Sequence, residues 1–120
     1  MQSVQGFGGF FFRAKNPEGL AEWYQEHLGI NPAPTDMEMA PWVTESGVTV
    51  FSPFAADSDY FARDKAFMLN FRVADVDAMT AQLKSEGIEV SHASEMEGIG
   101  RFARIHDPEG NAIELWEPAS

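Results

Sequence analysis

The chain has 120 residues, 44% of them hydrophobic and 22% charged, which suits one compact domain that buries about two-thirds of its unfolded surface. Eight Lys and Arg against 19 Asp and Glu give a formal net charge of −11, which disfavours binding to the phosphates of a nucleic acid. No apolar run is long enough to span a membrane, and the absence of cysteine excludes a disulfide framework and a thiolate nucleophile. We therefore expect a cytoplasmic protein with neither nucleic-acid nor membrane partners.

The first half of the chain predicts a strand, a helix and a hairpin. The Phe-rich segment Phe7 to Arg13 predicts the strand. Asn16-Pro17 is the pattern of a helix start, because Asn caps the first free N–H groups and Pro suits the first helical position. Gly29 stands where a left-handed cap is expected to end this helix. A hairpin is expected around residues 45–47.

The second half repeats the strand and helix. Ser52 to Lys65 reads as a linker that could fold over a site. Phe67 to Val73 predicts a strand, and the next helix is expected from a cap at Asp75 to a stop at Gly87. In the Asp107–Asn111 turn, proline fixes φ and glycine tolerates a left-handed conformation.

The last segment predicts a strand with two different faces. Ile113 and Leu115 share one face, and Ala112, Glu114 and Trp116 share the other. Glu114 therefore lies either on a solvated face or in a site.

Three segments of the first half recur in the second half. Phe12–Asn16 returns as Phe71–Asp75, and Val48–Pro53 returns as Ile113–Pro118. Leu28-Gly29-Ile30 returns as Glu86-Gly87-Ile88. Two copies with a long period indicate a duplicated module, not a solenoid.

In this context the sequence resembles the glyoxalase, bleomycin-resistance and extradiol-dioxygenase group, the vicinal oxygen chelate superfamily. The resemblance extends from Phe7 to Pro118. Its strongest motif is Asp-Pro-Glu-Gly-Asn-x-Ile-Glu-Leu at Asp107–Leu115. Two motifs of the first half support it, Asn16-Pro17 and Trp23-Tyr24-x-x-x-Leu28-Gly29. It implies an α+β fold in which two tandem βαβββ modules form a curved, partly open β-barrel with helices outside. One domain would cover residues 1–120, with modules at about 5–53 and 66–118, a linker at about 54–65, and a homodimer as the assembly.

The resemblance also implies four metal-ligand positions, on the first and last strands of each module. They fall at Gly9, Thr49, Met68 and Glu114, and only Glu114 could act as a ligand. Because a divalent cation needs several N or O ligands, a divalent metal is disfavoured and no cofactor is predicted.

Strand alternation predicts which side chains could line the cavity instead. If Glu114 points inward, Trp116 lies beside it, and Met68 brings Asn70 and Arg72 to the equivalent face. Arg13 and Arg72, as repeat mates, either hold an anionic group or pair with surface carboxylates. The full set of predicted ligand-binding residues is Arg13, Trp42, Thr49, Phe51, Met68, Asn70, Arg72, Arg104, His106 and Trp116, with Tyr60 and Phe61 as further aromatic candidates.

The three histidines have different expected roles. His27 lies in the last turn of the first helix, where a cation suits the helix C-terminus. His92 is expected in a loop. His106 shares a strand face with Arg104, so it either reaches the cavity or borders the turn at the surface.

Two function classes remain open. The first is a metal-free protein that binds a small organic molecule in the barrel cavity, and the aromatic residues and net acidity would suit a flat cation, unless the acidity serves solubility alone. The alternative is a glyoxalase-like enzyme of lyase, isomerase or dioxygenase type. It would use Glu114 as base or metal ligand, with Arg72, Arg104 or His106 assisting.

Overall fold

The structure, a computed structural model, describes residues 1–120. Two helices and four strands follow one another as α1 Pro17–Leu28, β1 Leu69–Arg72, α2 Val76–Ser85, β2 Ser91–Met96, β3 Gly100–His106 and β4 Ala112–Pro118. The strands form one open sheet in the order β1-β4-β3-β2, with β1 parallel to β4 and the other neighbours antiparallel. The fold is thus α+β with a mixed sheet. Neither helix has the length and apolar character needed to cross a membrane.

Helix α1 begins and ends as its sequence predicts. The Asn16 side chain accepts a hydrogen bond from the backbone N–H of Gly19 at 3.0 Å. Gly29 has φ 70° and donates its N–H to the Gln25 carbonyl at 3.1 Å, which closes the last turn. Leu20 and Tyr24 lie one turn apart and are both buried, so this face of the helix packs against the sheet.

A carboxylate from the β3–β4 turn also holds the start of α1. Glu109 accepts the backbone N–H of Lys15 at 2.7 Å and that of Asn16 at 3.0 Å. Hydrogen bonds first from Asn16 and then from Lys15 lower the pKa of the Glu109 carboxyl. The turn is therefore attached to the first helix by a contact that requires a charged carboxylate.

We expect this contact to contribute to the acid sensitivity of the fold. Because the folded pKa of Glu109 is lowered, its stabilisation is present above the unfolded pKa of about 4.3 and is lost as the pH falls through the folded value. Glu109→Gln should flatten the loss of stability across that acid window, measured by urea unfolding at a series of pH values. The matched change at the exposed Glu38 should leave the profile as it is, and equal profiles for both variants would contradict the prediction.

Helix α2 is capped in a similar way. Asp75 accepts the backbone N–H of Ala78 at 3.0 Å, as the sequence predicts. Glu117, at the end of β4, accepts the N–H of Val76 at 2.9 Å. Gly87 follows the helix with φ 84°, a conformation that suits glycine. Side chains from the closing hairpin thus hold the first turns of both helices.

One face of the sheet and both helices form the core. Leu83, Ile105, Ile113 and Leu115 are each 0% exposed. The core cluster consists of Leu20, Tyr24, Val76, Leu83, Ala103, Ile105, Ile113 and Leu115. Since alternate residues of a strand point to opposite faces, residues 112, 114 and 116 of β4 lie on the face away from the helices.

The first half of the chain differs from the sequence prediction, because it contains α1 but no strand. The predicted strand Phe7–Arg13 and the predicted hairpin at 45–47 are irregular. A strand needs a hydrogen-bonded neighbour, and no segment of the first half pairs with β1 or β2, the edges of the sheet. Phe11 and Phe51, which would face a core in a closed barrel, are 93% and 78% exposed. The predicted strand and hairpin are therefore not formed in this structure.

His92 is a second difference. It lies in β2, not in a loop, and it has φ 50° at a register shift between Ser91 and Ser94. A bulge of this kind lets one residue leave the regular ladder.

Candidate functional site

The sheet face away from the helices carries two rows of side chains. The register aligns Ser91, Arg104, Glu114 and Asn70 across the four strands. The neighbouring row consists of Ser94, Phe102, Trp116 and Arg72. The first row is polar and charged, whereas the second contains an aromatic pair. Among the strand residues of these rows, Glu114 is the single carboxylate, and Arg72 and Arg104 are the cations.

Glu114 accepts hydrogen bonds through both carboxylate oxygens. Asn70 donates its side-chain N–H to Oε1 at 2.7 Å, and the Tyr60 hydroxyl donates to Oε2 at 2.5 Å. The Glu114 residue is half-buried. Its carboxylate is therefore oriented by two neutral donors, one from the adjacent strand and one from the irregular segment before β1.

Arg104 lies next to Glu114 on β3 and is only 8% exposed. Its Nη1 donates to the Tyr60 carbonyl at 2.7 Å, and its Nη2 lies 3.4 Å from the Met68 sulfur. The guanidinium carbon is 4.7 Å from the centroid of the Tyr60 ring, a cation–π contact. The Nε atom is buried and has no hydrogen-bond partner. One donor of a buried cation thus remains unused.

Tyr60 connects the two charged groups. Its hydrogen bond to Glu114 and, to a lesser extent, its burial raise the pKa of the Tyr60 hydroxyl, whereas the Arg104 charge lowers it. The phenol is therefore held in its neutral, donating form. The Tyr60 residue is still 48% exposed, and its ring centroid lies 5.5 Å from that of Phe54.

An aromatic pair extends the polar row. Phe102 and Trp116 stack with ring centroids 6.2 Å apart and an interplanar angle of 4°. The Trp116 indole N–H donates to the Ile99 carbonyl at 3.0 Å, which fixes the orientation of the ring. Beside it, Arg72 donates to the carbonyls of Glu45 and Ser46 at 3.0 and 3.4 Å. Trp116 is only 8% exposed and Phe102 is half-buried, so mainly Phe102 adds accessible apolar area next to the hydrogen-bonding groups.

The structure brings together six of the residues predicted to line a site. Met68, Asn70, Arg72, Arg104, Glu114 and Trp116 lie on or beside this face. Their placement follows from the alternation of the strands, because each occupies the face opposite the core.

Other predicted site residues lie elsewhere. Arg13 is exposed and borders a cleft of about 510 Å³ with Lys65 and Glu109. Trp42 packs on Phe71, which contacts the core on the helix side, at a centroid distance of 6.1 Å. Thr49 and Phe51 are exposed in irregular segments and are not hydrogen-bond partners of Glu114. His106 follows Arg104 on the same strand face and borders a cleft of about 360 Å³ that Ser91 also lines.

The four inherited metal positions do not fit a divalent cation. Gly9 has no side chain, Thr49 lies in an exposed irregular segment, and the Met68 sulfur faces the Arg104 guanidinium. Both oxygens of Glu114 already accept hydrogen bonds. No group of three or more His, Cys, Asp or Glu side chains has the spacing of a metal site. These four positions therefore do not form a site for a divalent cation.

Sequence reasoning overlooked two contacts. It placed Tyr60 among the aromatic candidates but not as the partner of Glu114, which lies 54 positions away in the sequence. It also treated Asp107 as a turn residue, whereas the buried Asp107 carboxylate accepts a hydrogen bond from the Tyr24 hydroxyl at 2.7 Å. Its expectation that His27 has a structural role is consistent with the 2.6 Å contact between His27 Nδ1 and Glu86.

The order of elements and the polar sheet face define a small α+β protein with one open face available to a ligand. The glyoxalase-like domain family matches residues 9–116, and the chain belongs to that family. The resemblance deduced from the closing hairpin and the first helix is thereby confirmed. No curated protein matches the chain.

Solved structures of the same superfamily are similar to this chain. A glyoxalase/bleomycin resistance protein from Streptomyces sp. CB03234 is 39% identical over 41% of this chain and 42% of its own, less than half its length, with a TM-score of 0.38. TnmS3, an antibiotic binding protein from the same organism, is 22% identical over 99% of this chain and 100% of its own, with a TM-score of 0.68. Lactoylglutathione lyase from Agrobacterium tumefaciens is 16% identical over 97% of this chain and 96% of its own, with a TM-score of 0.60. At these identities, the two full-length matches show the fold alone.

Proposed function

We propose that this protein binds a small organic molecule on the sheet face around Glu114, without a divalent metal. The observation that carries the proposal is the row of Asn70, Glu114 and Arg104, which places a carboxylate between an amide and a buried guanidinium. Small-molecule sites combine apolar area with a few oriented polar groups, and the half-buried Phe102, stacked on the buried Trp116, and the exposed rings of Tyr60 and Phe54 supply that area. The full-length fold similarity to an antibiotic binding protein gives the proposal a precedent.

The charge of this face bears on the kind of ligand. The chain as a whole has a formal net charge of −11, but the two rows contain Arg72 and Arg104 against the single carboxylate of Glu114. The general acidity therefore lies outside these rows. A preference for cations, which the composition suggested, is not supported by the groups that would touch the ligand.

We also propose that the face forms one wall of a barrel cavity. In this proposal residues 1–120 are one domain. A first βαβββ module at about 5–53 and a second at about 66–118 are joined by a linker at about 54–65. The two modules together build a curved, partly open barrel, and the protein is a homodimer. The internal repeat and the exposed apolar side chains of Phe11, Val50 and Phe51 support it. Sedimentation equilibrium at micromolar concentration checks the assembly, and a monomeric mass would count against it.

The binding proposal is tested with planar aromatic probes, a cation (proflavine) and a neutral compound (2-naphthol), by titration calorimetry. Glu114→Gln should weaken binding about tenfold, since a hydrogen bond to a charged group is worth about 1.5–3 kcal/mol. Glu95→Gln is the matched control, because it removes the same charge from an exposed position of β2. If neither probe binds, or if both variants lose the same affinity, the proposal is contradicted.

The alternative of an enzyme that uses Glu114 as a base predicts a different result. In the free protein each carboxylate oxygen of Glu114 accepts one hydrogen bond from a neutral donor, so a base at this position would use a further lone pair or the oxygen that Tyr60 releases. Chemical conversion of a bound compound by the wild type, lost in Glu114→Gln while binding is retained, would support the enzyme instead.

A further inference from the structure

We propose that the ligand is a planar phenol and that the side chain of Tyr60 occupies its place in the free protein, a proposal that rests on the binding role given above to the Glu114 face. Tyr60 is itself a phenol, and it makes the two contacts that this face offers to an aromatic hydroxyl compound. Its ring lies over the Arg104 guanidinium at 4.7 Å, and its hydroxyl donates to Glu114 at 2.5 Å.

The charges on either side of the phenol determine the class of ligand. A carboxylate ligand at this position would be repelled by Glu114, and a cation would be repelled by Arg104. A neutral hydroxyl group that donates a hydrogen bond to Glu114 avoids both penalties, and an aromatic ring suits the flat face of the guanidinium. The hydrogen bond to Glu114 raises the pKa of the Tyr60 hydroxyl, which agrees with a site for a neutral phenol.

The Tyr60 side chain is held only on one side, by Glu114, Arg104 and Phe54. It is 48% exposed, and its segment between α1 and β1 contains no helix or strand. The backbone of this segment is held by a turn in which Ser58 donates its N–H to the Ala55 carbonyl. It is also held by the Tyr60 carbonyl, which accepts a hydrogen bond from the buried Arg104. The backbone can therefore stay attached while the side chain rotates away from the face.

The unused donor of Arg104 favours replacement of Tyr60 by a ligand. Arg104 is only 8% exposed, and its Nε has no partner while Tyr60 covers the guanidinium. A buried donor without an acceptor is unfavourable. Tyr60 has no second oxygen on its ring to accept from this N–H. A ligand with an acceptor oxygen within reach of this N–H would have an advantage over the side chain that it displaces, whereas 2-naphthol tests the hydroxyl and ring contacts alone.

The test compares 2-naphthol with 2-methoxynaphthalene, which has the same rings but cannot donate a hydrogen bond. Titration calorimetry on the wild type should show 2-naphthol binding about tenfold more tightly. Tyr60→Ala should bind 2-naphthol more tightly still, by about tenfold, because the competing side chain is gone. Tyr60→Phe is the matched control: it keeps a ring over Arg104 but loses the hydrogen bond to Glu114, so its affinity should lie between the other two.

A second measurement follows Tyr60 directly. The chain has two tyrosines, and Tyr24 is buried, so ring-labelled tyrosine gives one NMR signal for the site and one internal control. On addition of 2-naphthol the Tyr60 signal should move to the position of an exposed tyrosine, and that of Tyr24 should stay. Unchanged circular dichroism of both Tyr60 variants would verify that they fold.

The possible failures are distinguishable. If Tyr60→Ala weakens the binding of 2-naphthol, Tyr60 is part of the wall of the site and does not occupy the place of the ligand. If the two naphthalene compounds bind equally, the site does not recognise the hydroxyl group. Either result would show that the phenol proposal is wrong. If neither naphthalene compound nor proflavine binds to the wild type or to either Tyr60 variant, the binding role of the face is itself wrong.

Discussion

Asp107→Ala is expected to lower the free energy of unfolding by about 3–5 kcal/mol, because it removes a buried carboxylate from the centre of a hydrogen-bond network. Oδ1 accepts the backbone N–H groups of Glu109 and Asn111 at 2.8 and 3.0 Å. Oδ2 accepts the Asn111 amide at 2.8 Å and the Tyr24 hydroxyl at 2.7 Å. Asp107 and Asn111 are each 4% exposed, so the donors left behind gain little water.

Two milder variants separate the contributions to this loss. Tyr24→Phe removes one of the four hydrogen bonds and should cost about 1 kcal/mol. Asp107→Asn keeps one oxygen for the backbone donors, so its loss of unfolding free energy should lie between the losses of Tyr24→Phe and Asp107→Ala. Urea unfolding at neutral pH measures all three. A loss below about 1 kcal/mol for Asp107→Ala would mean that the turn rearranges to satisfy its own donors.

The Asp107 network also explains why the closing hairpin identifies the fold more surely than the chemistry. Asp107 ties the turn to α1 through Tyr24, and Glu109 caps the start of the same helix. Burial first, and then the hydrogen bond to Asp107, raise the pKa of the Tyr24 hydroxyl, as expected for a structural donor. Of the motif's three acidic residues, Glu114 alone reaches the open sheet face. The motif therefore preserves an architecture, and the chemistry of its last carboxylate depends on neighbours outside it.

The features that could be predicted from sequence are the local ones. The caps at Asn16 and Asp75 and the left-handed Gly29 involve residues within one helical turn of each other. The alternation of β4 predicted both faces of the sheet, since a strand that buries Ile113 must turn Glu114 away from the core. These signals do not depend on how distant segments meet.

The features that could not be predicted are pairings between distant segments. Phe7–Arg13 has the composition of a strand, but composition supplies no hydrogen-bonded neighbour, and the segment is irregular. The contact between Tyr60 and Glu114 joins residues 54 positions apart through a segment that carries no readable motif. His92 lies in β2 because its neighbours pair with β3, although nothing in its own surroundings favours a strand.

The two faces of β4 predict opposite effects for adjacent residues. Leu115 is 0% exposed and belongs to the core cluster, with Phe71 and Ala103 as its neighbours on the flanking strands. Leu115→Ala should lower the free energy of unfolding by about 2–5 kcal/mol, the range for truncation of a buried leucine that leaves a cavity. Glu114→Gln, next to it on the half-buried face, should cost less than about 1 kcal/mol, because the amide keeps an oxygen for one of its two donors.

Ligand affinity should respond in the reverse order. The comparison is made at a temperature where both variants remain folded. The affinity of Leu115→Ala for 2-naphthol should then be within about twofold of the wild-type affinity. The cavity left by this substitution opens towards the helices and not towards the polar face, and the effects of well-separated changes are nearly additive. Glu114→Gln should lose about tenfold in affinity at nearly full stability. Urea unfolding and titration calorimetry on the same samples measure both quantities. Parallel losses of stability and affinity in the two variants would show that the polar face and the core are one cooperative unit, and Glu114 would then be a structural residue.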